Sequence, residues 1–252
     1  MTIDRPTTDL TDGLRRLWKE SFGDTDAFLD AFRATAFSPD RCRAVTENGE
    51  VIAALYWFDC FEGDRRMAYL YAIATAKAHR GRGVCRALMQ NTHEHLKALG
   101  YDGALLVPGS PSLFDFYARM GYATCSHVRE FSCTAASPLV LSPVDEKTYT
   151  ARRRKLIPEG GVVQEGENLA FLQVQATLYV GENFVLAARP EGESLRGVEF
   201  LGDESLAPAI TAGLGYEKAT FRTVGNDRPF SMYLPLGDRG TPPPSYFGLA
   251  FD

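Results

Sequence analysis

Apolar residues recur at two spacings along the chain, and the change from one to the other marks out its elements. From Asp9 to Phe37, Leu10, Leu14, Leu17 and Trp18, then Phe28, Leu29 and Phe32, follow the three-and-four spacing of two amphipathic helices, with Asp24 or Thr25 placed to cap the second. Period-two runs follow at Cys42 to Glu47 and Val51 to Cys60, around Glu47-Asn48-Gly49-Glu50. An Asn-Gly pair between two such runs predicts a hairpin, because both central residues need positive φ. A second turn is expected at Glu62-Gly63-Asp64, leading into a strand from Tyr69 to Thr75. Helical spacing returns at Val84, Ala87, Leu88, Met89, Leu96 and Leu99 and stops at Gly100, as a C-terminal glycine stops a helix. Ala104 to Val107 reads as a short buried strand broken by Pro108-Gly109-Ser110-Pro111. Phe114, Tyr117 and Met120 then share one face of a short helix ending at Gly121, and Tyr122 to Phe131 returns as a strand.

The small-residue stretch Thr134-Ala135-Ala136-Ser137-Pro138 has the composition of a linker and divides residues 1–134 from 139–252. Beyond it, Thr148 to Leu156 carries the basic run Arg152 to Lys155. Without interleaved aromatics this predicts a solvated helix face rather than a nucleic-acid patch. Asn168 to Leu178 reads as a helix, and Asn183–Ala188, Gly197–Leu201, Lys218–Val224, Phe230–Leu236 and Tyr246–Phe251 read as strands. Leu99 to Leu106, LGYDGALL, is echoed by Leu214 to Phe221, LGYEKATF, each leaving a helix and entering a strand.

The candidate chemistry lies between the strand at Tyr69 and the helix at Val84. A loop opening a helix leaves backbone N–H groups without intrahelical acceptors at the positive end of the helix dipole, which makes an anion site. Gly81 and Gly83 allow close approach of a ligand to the backbone, and Arg80, Arg82 and Arg86 add charge that suits phosphate. Val84 and Cys85 stand where a Walker loop needs Lys and Ser/Thr, and the spacing to Ala87 is one residue too long for a dinucleotide fingerprint.

Arg80 to Cys85 resembles instead the R/Q-x-x-G-x-G/A signature of the GCN5-related N-acetyltransferases (GNAT), with Cys85 in the last, small position. Ser110 to Tyr122, SPSLFDFYARMGY, resembles that family's second signature, N-x-x-A-x-x-x-Y-x-x-x-G-F/Y. Ser110 stands for Asn and Leu113 for Ala, while Tyr117, Gly121 and Tyr122 are on pattern. The resemblance covers Leu10 to Glu130, and Ala78 to Ala87 looks most like the loop of the multi-lobed Eis-type members.

The resemblance implies an α+β GNAT fold, a mixed, mainly antiparallel twisted sheet flanked by helices. Residues 1–134 would be the catalytic domain and 139–252 a degenerate GNAT-like lobe that lacks the pyrophosphate loop and walls the amine site. It implies acetyl-CoA as co-substrate, its pantetheine bonded to the backbone of Ile73, Ala74 and Thr75. The pyrophosphate would lie on the amides of Gly81, Arg82, Gly83, Val84, Cys85 and Arg86 beside Arg80. Ser110 or Ser112 would face the cofactor where the family has Asn. Tyr117 matches the acid that protonates the leaving thiolate; the competing reading is that it only fills core. Cys85, inside the loop, reads as structural rather than as a nucleophile. The implied reaction is direct acetyl transfer to a primary amine of a small molecule or peptide, and a non-catalytic acyl-CoA sensor remains the alternative. Ala68 stands where some members carry a glutamate base, which leaves Tyr69, Tyr71, Asp59, Glu62 or an ordered water for that role. Asp24, Asp26, Glu62 and Asp64 would either give the substrate mouth an acidic lining or lie on the surface.

Composition narrows the partners. The 252 residues carry a net charge of −5, against nucleic acid or an anionic membrane as partner, and no apolar run has the length of a membrane span. The first residues lack a signal-peptide pattern, and five cysteines without a C-x-x-C pair argue for neither disulfides nor a metal site, so a reducing cytoplasm is expected. His93 and His95, two apart, fall on different helix faces and are expected as solvated surface rather than a ligand pair. Oligomeric state is not legible.

Overall fold

The computed structural model describes residues 1–237 and 242–251. Residues 238–241 and 252 of the predicted second lobe lie outside the described residues. A short strand β1 (Thr2–Asp4) precedes helices α1 (Thr11–Phe22) and α2 (Asp26–Thr35). Thr25 rather than Asp24 caps α2, its hydroxyl accepting from the Phe28 amide at 3.2 Å and so satisfying a donor the helix leaves open. The hairpin of β2 (Cys42–Glu47) and β3 (Glu50–Glu62) turns through Asn48 and Gly49, at φ 52° and 83°. Next come β4 (Arg65–Thr75), α3 (Val84–Ala98), β5 (Gly103–Leu106), α4 (Pro111–Ala118) and β6 (Ala123–Thr134). The second half runs α5 (Glu146–Leu156), α6 (Glu167–Leu172), β7 (Thr177–Val180), β8 (Phe184–Glu191) and β9 (Ser194–Gly202). It ends with α7 (Ala207–Gly213), β10 (Lys218–Val224) and β11 (Arg228–Pro235).

The strands form a single mixed sheet in the order β1-β2-β3-β4-β5-β11-β6-β10-β9-β8-β7. Read inward from its two edges, the order repeats. An antiparallel run, β2-β3-β4 or β7-β8-β9, is followed by a parallel neighbour, β5 or β10, reached through a helix. The two halves then exchange their last strands: β11 lies between β5 and β6, and β6 pairs with β10. The sequence echo is where the repeat is tightest. Gly100 and Gly215 take the left-handed conformation at φ 79° and 82°, and the amides of Tyr101 and Tyr216 bond back to Leu96 and Thr211 at 3.0 and 3.1 Å. These are matching helix stops of the kind only glycine makes without strain.

Helices α1, α2, α5 and α6 and the segment 246–251 cover one face of the sheet with one continuous core that runs across both halves. Helices α3 and α4 cover the other face of the first half, and α7 packs on the second. Three expectations need correction here. Tyr246–Phe251 is not a strand: its carbonyls at Tyr246 and Leu249 are taken by the Val162 amide and the Gln164 side chain, at 2.8 and 2.7 Å, and its rings turn into the core. The predicted helix from Asn168 to Leu178 stops at Leu172; a turn follows, and Thr177 and Leu178 open β7. The basic run on α5 is not wholly solvated. Arg153 is 1% exposed and lies against Glu199 of β9, its Nε and Nη2 donating at 2.6 and 2.8 Å. The Tyr246 hydroxyl donates to the same carboxylate at 3.0 Å, and Tyr149 donates at 3.3 Å.

The histidines also depart from bare surface. His93 is half-buried between α3 and β6, with Nε2 2.8 Å from the Tyr122 hydroxyl, and burial pulls its pKa down to about 4. His95 sets its ring edge against Trp57. No cluster of metal-ligating side chains occurs among the described residues, none of their helices is long and apolar enough to cross a membrane, and all five cysteines are free.

Two outcomes follow for stability. Glu199→Ala leaves a buried guanidinium without its carboxylate and should cost about 3–5 kcal/mol in chemical denaturation; a loss below about 1 kcal/mol, typical of surface pairs, would contradict the burial argument. His93 folds with a depressed pKa, so its share of stability is full above the unfolded value of about 6.5 and is lost as pH falls toward 4. His93→Gln should flatten that part of the stability profile, and an unchanged profile would contradict it.

Candidate active site

Strand β4 pairs in parallel with β5 over Met67, Ala68 and Tyr69 only. Beyond Tyr69 the two strands part. The cause is visible in β4, where Ala72 has φ 48° and the register against β3 slips, so that Leu55 alone faces Ala72 and Ile73. Such a bulge bends its strand and turns backbone groups out of the ladder. On its other side β5 keeps its pairing with β11, from Gly103–Pro235 to Leu106–Met232. The parting opens a cleft of about 820 Å³, lined along one wall by Leu70 to Ile73 and along the other by Leu106 to Pro111.

Past the bulge the chain reaches the arginine-glycine loop. Gly81 and Gly83 have φ 75° and 76°, and a side chain built on either would meet nothing within 4 Å, so glycine is needed for conformation and the space above it is open. The first helical bond of α3 runs from the Ala87 amide to the Gly83 carbonyl at 3.0 Å. The amides of Val84, Cys85 and Arg86 ahead of it therefore have no helical acceptor. Arg80 stays exposed and bends back toward β4, its Nε donating to the Thr75 carbonyl at 3.0 Å. Arg82 pairs with Glu47 at 3.2 Å and holds that carboxyl below its usual range, so much of its charge is already engaged. Arg86 is exposed on the first turn of α3. The half-buried Cys85 thiol is pushed up to about 11 by burial, against the Thr75 hydroxyl, which lowers it. That leaves it protonated and a poor nucleophile.

Tyr117 projects from α4 into the same cleft as Ile73 and Ser110. It is buried, and burial pushes the phenol above its ordinary range, with Cys85 adding to the shift. Ser110 begins α4 and its hydroxyl lies 3.1 Å from that of Ser112, which is exposed. Ala74 remains in the ladder with β3, and Thr75 ends the strand at the loop. Ala68 faces the core of α3 and α4. Of the groups considered for a base, Tyr69 and Tyr71 line the cleft, whereas Asp59 pairs with Arg66 and accepts from Tyr101, and Glu62 pairs with Arg65. The acidic mouth reduces to Asp24; Asp26 pairs with Arg15 and Lys19, and neither Glu62 nor Asp64 lines the cleft.

Sequence reasoning missed most of the opposite wall. Trp18, Phe22 and Phe28 from the first two helices, Gln175, and Phe230 and Phe251 from the second half all line the cleft. Trp18 and Phe22, four apart on α1, carried a signal as a helical aromatic pair. Phe251 carried none, because its approach depends on contacts far away in sequence. In the second half, β9 and β10 likewise pair over three positions, Leu195–Gly197 with Ala219–Phe221, and past them Arg222 Nε donates to the Val198 carbonyl at 2.8 Å. Phe221 sits where a side chain on Gly197 would meet it at 2.3 Å, and it stacks with Phe131 at 5.5 Å. The link from β9 to α7 carries Asp203 and Glu204 at the helix head, charges that repel an anion.

Residues 2–125 match the domain family described as acetyltransferase (GNAT) domain. No curated protein sequence matches the chain. Among solved structures, a GCN5-related N-acetyltransferase from Kribbella flavida shares the fold with a TM-score of 0.71 at 20% identity, over 92% of this chain and 70% of that one. One from Anabaena variabilis gives 0.68 at 15%, over 94% and 73%. Eis1 from Mycobacterium abscessus gives 0.66 at 12%, over 93% and 73%. At these identities the likeness is one of fold, and it extends through the second half. With the loop, the parted strands and the family match, residues 2–125 are a GNAT acetyltransferase domain, and the chain as a whole shares the fold of the GNAT structures.

Proposed function

We propose that the protein transfers an acetyl group from acetyl-CoA to a primary amine. In this reading residues 1–134 are the catalytic domain, and 139–252 form a lobe without a cofactor cleft of its own that completes the wall of the first. The observation that carries it is the meeting, in one cleft, of parted strands and the Tyr117 phenol, beside a helix head with open amides.

The residues present fit an acyl-CoA. The space above Gly81 and Gly83 is open, and the amides of Val84 to Arg86 stand at the positive end of a 15-residue helix, where a pyrophosphate is stabilised. Beyond its bulge β4 presents Ile73, Ala74 and Thr75 along the path from loop to cleft, as an amide-bearing pantetheine arm requires. Ser110 lies at the cleft wall; Ser112, exposed, is the less suited of the two.

When bound, acetyl-CoA supplies a thioester whose acyl carbon bonds to the amine nitrogen as the carbon–sulfur bond breaks. Tyr117 Oη holds the proton that the sulfur takes, the nitrogen gives its proton to solvent, and solvent returns one to the phenolate. The raised pKa keeps the phenol protonated through the range in which the amine begins to lose its proton, so the acid form is present there. Partial enclosure of the cleft strengthens every hydrogen bond made to the developing charge.

Tyr117→Phe should lower kcat by about a hundredfold or more while calorimetry shows acetyl-CoA affinity within about twofold of the parent, since the phenyl ring retains the packing. Parent-like turnover would remove the acid assignment. In the parent, kcat should rise with pH and show no descending limb below about pH 10; a limb between about 7 and 9 would require a different acid. Gly83→Val imposes a left-handed backbone on a β-branched residue and places methyl groups over the open amides. Acetyl-CoA affinity should fall at least about tenfold, a loss of ~1.4 kcal/mol; unchanged affinity would place the cofactor elsewhere.

A further inference from the structure

The acceptor side of the cleft has a chemical character that selects among amines. Its floor is aromatic. Trp18 lies 5.7 Å from Phe22, 6.3 Å from Phe28 and 5.7 Å from Tyr71, and Tyr71 continues to Phe251 at 5.3 Å. These rings line the cleft with Tyr69 and Phe230. Most are buried, but Phe22 is 46% exposed, which sets an apolar face at the mouth where a solvent-facing polar residue would be usual.

Charge is sparse beside these rings. The lining includes one carboxylate, Asp24, and one guanidinium, Arg228. Arg228 shares the Glu130 carboxylate with Arg196, at 2.7 and 2.6 Å, so this end of the cleft keeps positive charge and disfavours a second ammonium. Asp24 is fixed by the indole of Trp18, whose Nε1 donates to it at 2.8 Å, which holds one acceptor oxygen at the edge of the aromatic floor. Asp26, the next carboxylate along the chain, is engaged by Arg15 and Lys19. A polycation entering here would have to strip water from several ammonium or hydroxyl groups with a single carboxylate to receive them, and each unpaired group carries a desolvation cost of kcal/mol size. A flat apolar body loses nothing by desolvation and gains from ring contacts, and a single ammonium is matched by one carboxylate and by ring faces that attract cations.

Resting on the acetyltransfer reading above, we propose that the acceptor is an arylalkyl monoamine, one primary amine on an aromatic body, held between the Trp18–Phe22–Tyr71–Phe251 rings and steered by Asp24. Phe22 and Asp24 are the residues that set this specificity. They act on the incoming amine as a cation and a ring; the nitrogen sheds its proton before it attacks.

The test measures thiol release from acetyl-CoA by the purified full chain with 2-phenylethylamine and tryptamine against spermidine and kanamycin. The two arylalkylamines should show kcat/KM at least about tenfold above the polycations, the size of one well-matched contact. Asp24→Asn keeps an acceptor for Trp18 but removes the charge, and Phe22→Ala truncates an exposed ring, so both should fold. Each should raise KM for 2-phenylethylamine by about tenfold while KM for acetyl-CoA stays put, a split that a general loss of structure would not produce. Equal or better turnover of spermidine or kanamycin overturns the proposal and leaves acetyl transfer intact. So does parent-like KM in both variants. Acetyl-CoA binding with no thiol release from either arylalkylamine overturns it as well, and absence of acetyl-CoA binding overturns the reading on which it rests.

Discussion

Two neighbouring strands that begin as a parallel pair and then separate impose the constraint on which the rest of the molecule turns. Between Tyr69 and Thr75, β4 loses β5 as a partner while still bonded to β3 on its other side. Buried backbone N–H and C=O groups rarely stay unpaired, so a parting of this kind persists only if something holds the strands apart. The bulge at Ala72, a non-glycine residue in the left-handed region, turns β4 away at roughly 1–2 kcal/mol of local strain. Strand β11 occupies the far side of β5 and keeps it in the sheet. The result is a slot with backbone on both walls and a helix head at its end, suited to a long ligand that carries amides along its length and negative charge at its tip.

That arrangement makes the second half of the chain a structural necessity for the first. The strand beside β5 comes from residues more than a hundred positions downstream, and β6 crosses the other way to β10. The ion pair of Arg153 and Glu199 joins α5 to β9. By accepting from Tyr246, Glu199 ties down the segment that carries Phe247 and Phe251 to the cleft side. The second half thus shapes the slot of the first through β11 and the rings of 246–251, while at its own parallel pair Phe221 packs against Phe131 and Phe200.

Local chemistry was legible in the sequence wherever it was decided within a few residues. The Asn48-Gly49 turn, the glycine stops at Gly100 and Gly215, and the Gly81 and Gly83 loop each require a backbone conformation that one residue type supplies. The echo of LGYDGALL in LGYEKATF marked a repeat of topology because both copies encode the same helix exit. What was not legible depended on partners distant along the chain. Arg153 reads as surface until Glu199 is known to lie beneath it, and His93 until Tyr122 is found beside it. Tyr246–Phe251 has the alternation of a strand, but side chains and loop amides of other segments take its carbonyls. Nothing in the period-two pattern of β6 and β11 announced that they would exchange places.

The central claim is that the open amides at the head of α3 and the backbone of β4 past its bulge receive one ligand. Amide hydrogen exchange of the full chain, with and without acetyl-CoA, reads those groups directly. Slower exchange confined to Leu70–Thr75 and Gly81–Arg86, with β9 and α7 unchanged, is the predicted result. Exchange unaltered in those two stretches at saturating acetyl-CoA would contradict the account.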